Sequence, residues 1–305
     1  MSNEEKKTTT KILDARLLTG VITGVVMLSA FYAGGFVLAA VVAFFVYFSM
    51  KEFIHILQCK GFQPSFRIIA FMTCLLFIMS VAHMEIIFPM VVFFGVALSF
   101  CAVLFKLRQP YIANVATTVF GFIFCWLPTY VYLIRGIGAP GKGFLSIGNI
   151  NPGLGYLAML FFTILATDIG GYFFGKKFGK HKLSDVSPKK TVEGCVCGTV
   201  AAILTALLFG YILNMTLLQA LLAGVIITFF AQIGDLSESL LKRDAGMKDS
   251  GDSLPGHGGF LDRADSYILS APVAYYFFKY IIYNDYSFAN LLLSLEKVLS
   301  NAGLM

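Results

Sequence analysis

Long apolar stretches, separated by short polar or glycine-containing segments, dominate this chain. The stretches are continuous and do not alternate between apolar and polar residues, which favours membrane-spanning helices of about 20 residues over the strands of a β-barrel. The pattern predicts an all-α polytopic integral membrane protein with about nine transmembrane helices, of which the second is short and extendable through residues 51–57. The predicted spans are 16–34, 36–50, 67–83, 85–105, 111–134, 154–175, 194–213, 215–236 and 266–284.

Basic residues are distributed unevenly between the two sides that these spans define. All but four of the 23 lysines and arginines fall in the N-terminal tail or in alternate connections. Cytoplasmic connections of membrane proteins carry an excess of Lys and Arg, so the N-terminus and both large polar loops are expected to face the cytoplasm. The four exceptions are Arg135, Lys142, Lys279 and Lys297.

The composition excludes a water-soluble globular protein. Hydrophobic residues make up 58% of the 305 positions and charged residues only 13%, whereas a soluble domain has roughly 25% charged residues. We expect the lipid bilayer as a partner and no nucleic acid. The six cysteines lie mostly in or beside apolar stretches, and the Cys195–Cys197 spacing does not match a Cys-x-x-Cys metal or redox motif.

Three regions of different character are predicted along the chain. Residues 1–135 form apolar N-terminal scaffold helices with little candidate chemistry. Residues 136–193 contain a Gly/Pro-rich loop, the sixth span and a basic cytoplasmic loop. Residues 194–305 form a C-terminal catalytic transmembrane region with a charged loop at 239–265. We expect residues of the later spans to line any catalytic cavity.

Asp168 is an acidic residue near the end of the sixth predicted span. A carboxylate at that depth costs a few kcal/mol unless it faces a polar cavity or a cation. Gly170 and Gly171 follow it and let another backbone or a ligand approach closely. We interpret Asp168 as a functional residue, and the alternative is an interfacial acid paired with Lys176 or Lys177.

A strongly basic segment covers residues 176–194, with six lysines and two acidic residues. On charge alone, such a segment is a topology signal or a binder of anionic headgroups. Its stretch at 187–194 places two lysines and two hydroxyl groups at a predicted helix start. Helix N-terminal amides together with lysines are suited to binding phosphate.

Seven of the 17 acidic residues fall between residues 235 and 265. Helical spacing puts Asp235 and Ser239 on one face, and it puts Asp262 and Asp265 on one face if the ninth span starts there. Converging carboxylates repel each other unless a cation lies among them, and Mg²⁺ takes a few carboxylates with waters and phosphates. Basic residues and a Gly-rich turn are interleaved with these acids. The array favours a metal–nucleotide site over a solvated loop with surface ion pairs.

The segment 239–265 resembles the signature of the phosphatidate cytidylyltransferases, or CDP-diacylglycerol synthases. The stretch from Asp168 to Gly194 also resembles that family, notably at residues 187–191. The matching signature elements are Ser239, Lys242-Arg243, Lys248-Asp249, Pro255 to Gly259 and Asp262-Arg263-x-Asp265. Departures occur at Ile169, where the family commonly has Thr, at Val192, where it commonly has Trp, and at Ala264, where it has a larger apolar residue or Thr.

The resemblance implies the reaction of CTP with phosphatidate to give CDP-diacylglycerol and pyrophosphate, by in-line attack of the lipid phosphate on the CTP α-phosphate. It also implies a homodimer. Mg²⁺ is the expected cofactor, and a second, monovalent ion is left open. A phosphate monoester is largely dianionic at neutral pH, so charge neutralisation is expected to matter more than a strong general base.

The resemblance and the charged residues together assign candidate roles. The metal ligands are Asp235, Asp262 and Asp265, with Asp168 as a fourth acid. The catalytic group consists of Asp235, Lys248, Asp249, His257, Asp262 and Asp265. The substrate-binding group consists of Ser187, Lys189, Lys190, Thr191, Glu193, Ser239, Lys242, Arg243, Gly258, Gly259 and Arg263.

Two other functions fit parts of the pattern. A CTP-dependent lipid kinase would also use CTP but would release CDP. An ion-coupled transporter would also need intramembrane acids and helices broken by glycine, together with an inverted repeat that the sequence does not show. The expected location is a bacterial plasma membrane, with the active site facing the cytoplasm.

Overall fold

A computed structural model describes residues 20–106, 109–139, 151–251, 253 and 258–284. In these ranges the chain is helical, apart from turns and short irregular segments, and an isolated β-bridge joins Lys182 to Thr191. Short 3₁₀ turns precede α4 and α6, and a π-helical segment, Phe277–Tyr283, continues the last helix. The helices are α1 (Gly20–Ala33), α2 (Gly35–Cys59), α3 (Phe66–Val81), α4 (Phe88–Lys106), α5 (Tyr111–Trp126), α6 (Tyr130–Arg135), α7 (Pro152–Phe178), α8 (Val192–Ile212), α9 (Leu217–Asp244) and α10 (Leu261–Tyr276).

Helices lie at the positions of the predicted spans, and the all-helical membrane architecture is confirmed for the described residues. Six helical stretches there are long and apolar enough to cross a membrane. The fifth predicted span consists of α5 and α6, which a 3₁₀ turn at Leu127–Thr129 joins. The total of nine spans and the side on which the N-terminus lies stay predictions. The six stretches are Gly35–Cys59, Glu85–Phe105, Tyr111–Arg135, Pro152–Phe178, Val192–Ile212 and Leu217–Asp244.

The ninth helix in chain order, α9, continues well beyond the predicted end of its span at residue 236. Lys242 and Arg243 were expected in a loop, but they lie with Ser239 in the last turns of this helix. An ion pair between Glu238 and Lys242, four residues apart, supports the helical extension. The loop that joins α9 to α10 therefore begins only after Asp244.

Close backbone contacts bring together the helices that carry the candidate residues. A Cβ atom on Gly198 of α8 would lie 2.6 Å from the carbonyl oxygen of Thr167 in α7. A Cβ atom on Gly234 of α9 would lie 2.5 Å from the carbonyl oxygen of Asp265 in α10. Only glycine permits these approaches. As a result Thr167, the neighbour of Asp168, lies against α8, and Asp235 lies beside the first turns of α10.

The N-terminal helices pack against the C-terminal ones through an aromatic cluster. Phe260, directly before α10, stacks on Phe48 of α2 with ring centroids 4.9 Å apart. It also makes edge contacts with Phe44 and Phe45 at 5.6 and 5.2 Å. The start of α10 is thus seated on α2, although the two helices are far apart in sequence.

Candidate active site

A largely apolar cavity of about 280 Å³ lies between α1, α2, α5, α7 and α10. Its apolar lining includes Val46, Phe161 and Leu165. Its charged lining comes from Asp168 of α7 and from residues 262–265 at the start of α10. The expectation that the later spans alone would line such a cavity is wrong, because α1, α2 and α5 contribute as well.

Three carboxylates, Asp168, Asp235 and Asp265, form an acidic cluster beside this cavity. The proximity of their charges is unfavourable, since Asp168 and Asp265 are each repelled by Asp235. Two cations offset the repulsion: Nζ of Lys190 pairs with Oδ2 of Asp235, and the charge of Arg263 acts on Asp168. The structure therefore brings together five predicted site residues from α7, α9, α10 and the loop before α8.

Asp262 has a different environment, although it lies only three residues before Asp265. Its Oδ1 pairs with Lys242, and its Oδ2 accepts hydrogen bonds from the Ser250 amide at 3.0 Å, the Ser250 hydroxyl at 2.9 Å and the Gly259 amide at 2.8 Å. Burial alone would raise the pKa of this carboxyl, but the hydrogen bonds from Lys242 and the two amides hold it below its usual value. Asp262 thus anchors the α9–α10 loop as an ionised carboxylate.

Lys242 is only 8% exposed and lies between two carboxylates. Its ammonium pairs with Glu238 one turn earlier in α9 and with Asp262 in α10. Glu238 is fully buried. It is not among the predicted site residues, although its four-residue spacing from Lys242 is a usable signal. The neighbouring Arg243 is exposed and donates to the carbonyl oxygen of Met247 at 2.9 Å. Lys242 and Arg243 therefore have separate surroundings.

The segment between α7 and α8, residues 179–191, folds back on itself and is called the basic loop below. Thr191 caps α8 by accepting a hydrogen bond from the Gly194 amide at 3.1 Å. Glu193 accepts hydrogen bonds from the amides of Lys180 at 3.0 Å and His181 at 3.2 Å. Thr191 and Glu193, both predicted to bind substrate, therefore shape the basic loop and lie at its base.

The remaining predicted residues differ in their exposure. Lys189, Lys248 and Asp249 are exposed, Ser187 and Ser239 are half-buried, and Gly259 is buried. Gly258 has a φ of +77°, which favours glycine, and a Cβ there would lie 2.6 Å from Oδ2 of Asp262. Lys248 and Asp249 line a second, open cavity of about 580 Å³. His257 lies outside the described residues.

Two further residues take part that sequence reasoning missed. Glu52 of α2 is 7% exposed and accepts hydrogen bonds from the segment that precedes α10. Ser250 is fully buried and lies between Glu52 and Asp262. An acidic residue inside an apolar stretch was the available signal for Glu52, since such residues are functional by default. No spacing in the sequence indicates its partners.

Comparisons with known proteins cover most of the chain. The model of the cytidylyltransferase family matches residues 14–281. A phosphatidate cytidylyltransferase of Synechocystis is 33% identical over 282 residues, which is 86% of this chain and 95% of that protein. The chloroplastic phosphatidate cytidylyltransferase 4 of Arabidopsis thaliana is 32% identical, with 90% and 76% covered. A phosphatidate cytidylyltransferase of Bacillus subtilis is 43% identical over 137 residues, 44% of this chain and 51% of that protein. The chain belongs to the cytidylyltransferase family.

Proposed function

We propose that this protein transfers the cytidylyl group of CTP to phosphatidate and forms CDP-diacylglycerol and pyrophosphate for phospholipid synthesis. The observation that carries the proposal is the apolar cavity whose charged lining adjoins the acidic cluster. Such a cavity suits a substrate with acyl chains and a phosphate headgroup. The names of the Synechocystis and Arabidopsis relatives support the same reaction.

The reaction requires two polyanions to meet. A phosphate oxygen of phosphatidate forms a bond to the α-phosphorus of CTP, and the bond from that phosphorus to the bridging oxygen breaks, so that pyrophosphate leaves with the electron pair. The attacking phosphate is already largely dianionic at neutral pH, and no side chain needs to remove a proton. Charge neutralisation and in-line positioning then provide the catalysis. Lys190 and Arg263, the two cations at the acidic cluster, are the residues best placed for it.

We propose Mg²⁺ as the cofactor, held by Asp235 and Asp265 with Asp168 nearby. Among the residues that the structure describes, no group of three His, Cys, Asp or Glu side chains is arranged to hold a metal by itself. Mg²⁺ is usually bound by one or two carboxylates, waters and the substrate phosphates, so the hard oxygen donors of the acidic cluster fit it. When bound, the ion would neutralise charge on the phosphates. Asp262, the remaining predicted ligand, already accepts four hydrogen bonds or ion-pair contacts from the fold.

The exposed cations are proposed to bind the nucleotide. Lys189, Arg243 and Lys248 are accessible, and their charges suit the triphosphate of CTP. Asp249 adjoins Lys248 in the open cavity and is proposed to orient it. Lys242 is proposed to act through Asp262, since two carboxylates already surround its ammonium.

One experiment tests the reaction against its two alternatives. Purified protein is incubated with cytidine-labelled CTP, phosphatidate and Mg²⁺, and the label is followed into the lipid phase. The proposal expects labelled lipid with one pyrophosphate released per lipid formed. Release of CDP with an unlabelled, phosphorylated lipid would indicate a lipid kinase. Solute uptake into protein-containing vesicles without nucleotide would indicate a transporter.

Orientation and assembly are separate proposals. We propose nine spans, a cytoplasmic N-terminus and an active site facing the cytoplasm of a bacterial plasma membrane, on the asymmetry of the basic residues. An impermeant thiol reagent should label Lys248→Cys, in a cysteine-free background, only from the cytoplasmic side. We also propose a homodimer, which the family resemblance implies, and a mass measurement in nanodiscs would contradict it by showing one copy.

A further inference from the structure

Glu52, in the second half of α2, binds a distant segment of the chain with both carboxylate oxygens. Its Oε1 accepts a hydrogen bond from the Phe260 amide at 3.1 Å. Its Oε2 accepts from the Leu261 amide at 2.8 Å and shares with Oδ2 of Asp262 the single proton of the Ser250 hydroxyl, whose oxygen lies 3.0 Å away. All three donors lie in or directly after the α9–α10 loop. A single side chain of the N-terminal region therefore binds the α9–α10 loop at Ser250 and again at the start of α10.

These contacts act on the N-terminus of α10. The first amides of a helix have no partners within the helix, and the residue that precedes α10, Phe260, provides no side-chain cap. Glu52 supplies that cap from another helix. A carboxylate at a helix N-terminus is also favoured by the helix dipole, and hydrogen bonds to a charged acceptor are stronger than neutral ones.

The surrounding packing fixes the position of this carboxylate. Phe260 is held on the aromatic side chains of α2, stacked on Phe48. Gly259 lies against Glu52 and Ser250, and a Cβ atom at this position would collide with both. The backbone before α10 can therefore approach Glu52 only with a glycine at 259. Aromatic packing and the hydrogen bonds specify the same placement.

The anchored segment leads directly to the acidic cluster. The Ser250 hydroxyl lies within hydrogen-bonding distance of Oε2 of Glu52 and Oδ2 of Asp262, at 3.0 and 2.9 Å. Arg263 and Asp265 follow in the first two turns of α10. A shift of the helix start would move both residues relative to Asp235 on α9.

We propose that Glu52 is a positioning residue, which holds the start of α10 so that Arg263 and Asp265 meet the acidic cluster in the geometry that the transfer needs. This inference rests on the proposed function. Glu52 does not line the apolar cavity, so a role in binding the lipid is not part of it. It does line the open cavity of Lys248 and Asp249, and the KM for CTP therefore separates positioning from nucleotide binding. Its effect is on the alignment of groups that act in the transition state.

The test compares two glutamates that bind opposite ends of α10. Glu52→Gln keeps the side-chain shape but replaces one accepting oxygen by an amide nitrogen. Misplacement by about 1 Å costs roughly 100-fold in rate, so we expect kcat to fall at least about tenfold while the KM for CTP changes less than about threefold. The matched control is Glu85→Gln. Glu85 accepts from Tyr275 in the last turn of α10 at 2.6 Å and from Lys279 at 3.0 Å, and its variant should keep kcat within about twofold.

A second readout does not depend on activity. Amide hydrogen exchange in the peptide that covers residues 258–262 should be faster in Glu52→Gln than in the wild type and unchanged in Glu85→Gln. If Glu52→Gln does not fold, Ser250→Ala decides the question, because it removes one of the three contacts and should lower kcat by a smaller factor with the same unchanged KM.

The outcomes separate this inference from the proposed function. A wild-type protein that forms no CDP-lipid would overturn the proposed function and, with it, the inference. An active wild type in which Glu52→Gln retains kcat, or loses no more than Glu85→Gln, would overturn the inference alone. A Ser250→Ala variant with wild-type kcat and exchange would overturn it where Glu52→Gln does not fold.

Discussion

Lys242 forms buried ion pairs with Glu238 and Asp262, and we predict that its main contribution is to the stability of the fold. Family resemblance assigns this lysine to substrate, whereas its side chain is 10% exposed and lies between carboxylates that are 0% and 10% exposed. Lys242→Met would leave both carboxylates buried without their cation. Removing one partner of a buried pair destabilises a protein by about 3–5 kcal/mol. We expect the free energy of unfolding to fall by about that amount.

Chemical unfolding of the detergent-solubilised protein measures this effect. The control is Lys60→Met, which breaks an ion pair with Asp244 whose side chains are 41% and 60% exposed. Exposed pairs contribute about 0–1 kcal/mol, so the control should remain close to the wild type. A Glu238→Gln/Lys242→Met double variant should be more stable than Lys242→Met, because one of the two unpaired carboxylates is then neutral.

The alternative for Lys242 makes the opposite prediction. If this lysine mainly bound substrate phosphate, Lys242→Met would raise the KM for CTP or phosphatidate and leave the unfolding midpoint at the wild-type value. A variant that unfolds within about 1 kcal/mol of the wild type would therefore refute the structural role. The comparison separates the two roles because stability is measured without substrate.

Three other predictions follow from the site and its surroundings. Asp265→Asn should abolish transfer without changing the elution profile of the protein, and near-normal turnover would refute its metal role. Chelation of divalent ions by EDTA should stop product formation and added Mg²⁺ should restore it, whereas activity that persists in EDTA would exclude the metal proposal. Gly198→Ala should lower the free energy of unfolding by about 1–3 kcal/mol, since overpacking costs that much and the new Cβ would lie 2.6 Å from the Thr167 carbonyl oxygen. The control is Gly24→Ala, where the Cβ meets nothing within 4 Å, and equal stability of the two variants would contradict this reasoning.

The hydrophobic pattern of the sequence predicted where the helices lie, but it did not predict where α9 ends. Apolar periodicity fades after residue 236, because the charged residues that follow resemble a loop in composition. The helix nevertheless continues to Asp244, since Lys242 pairs with Glu238 along α9 and with Asp262 of another helix. The second of these partners depends on tertiary contact and cannot be deduced from the local sequence.

Spacing likewise placed Asp262 and Asp265 on one helix but did not separate their environments. Both lie in the first turns of α10, yet Asp262 binds the loop that contains Ser250, and Asp265 lies beside Gly234 of α9. The difference depends on which elements pack on either side of α10. Glu52 was missed for the same reason, since Ser250 is 198 residues away in sequence.

The carboxylates of this site can be sorted by what their oxygens already bind. Both oxygens of Glu52 and both of Asp262 already accept hydrogen bonds or ion-pair contacts from protein groups, which are backbone amides, a hydroxyl and an ammonium. In the part of the chain that the structure describes, Asp235 pairs through one oxygen with Lys190, and Asp265 accepts through one oxygen from the Ser266 amide. A carboxylate whose lone pairs are taken up by the fold is suited to hold structure, whereas one with remaining acceptor capacity is suited to bind a cation. The distinction argues that Glu52 and Asp262 build the site and that Asp235 and Asp265 act in it.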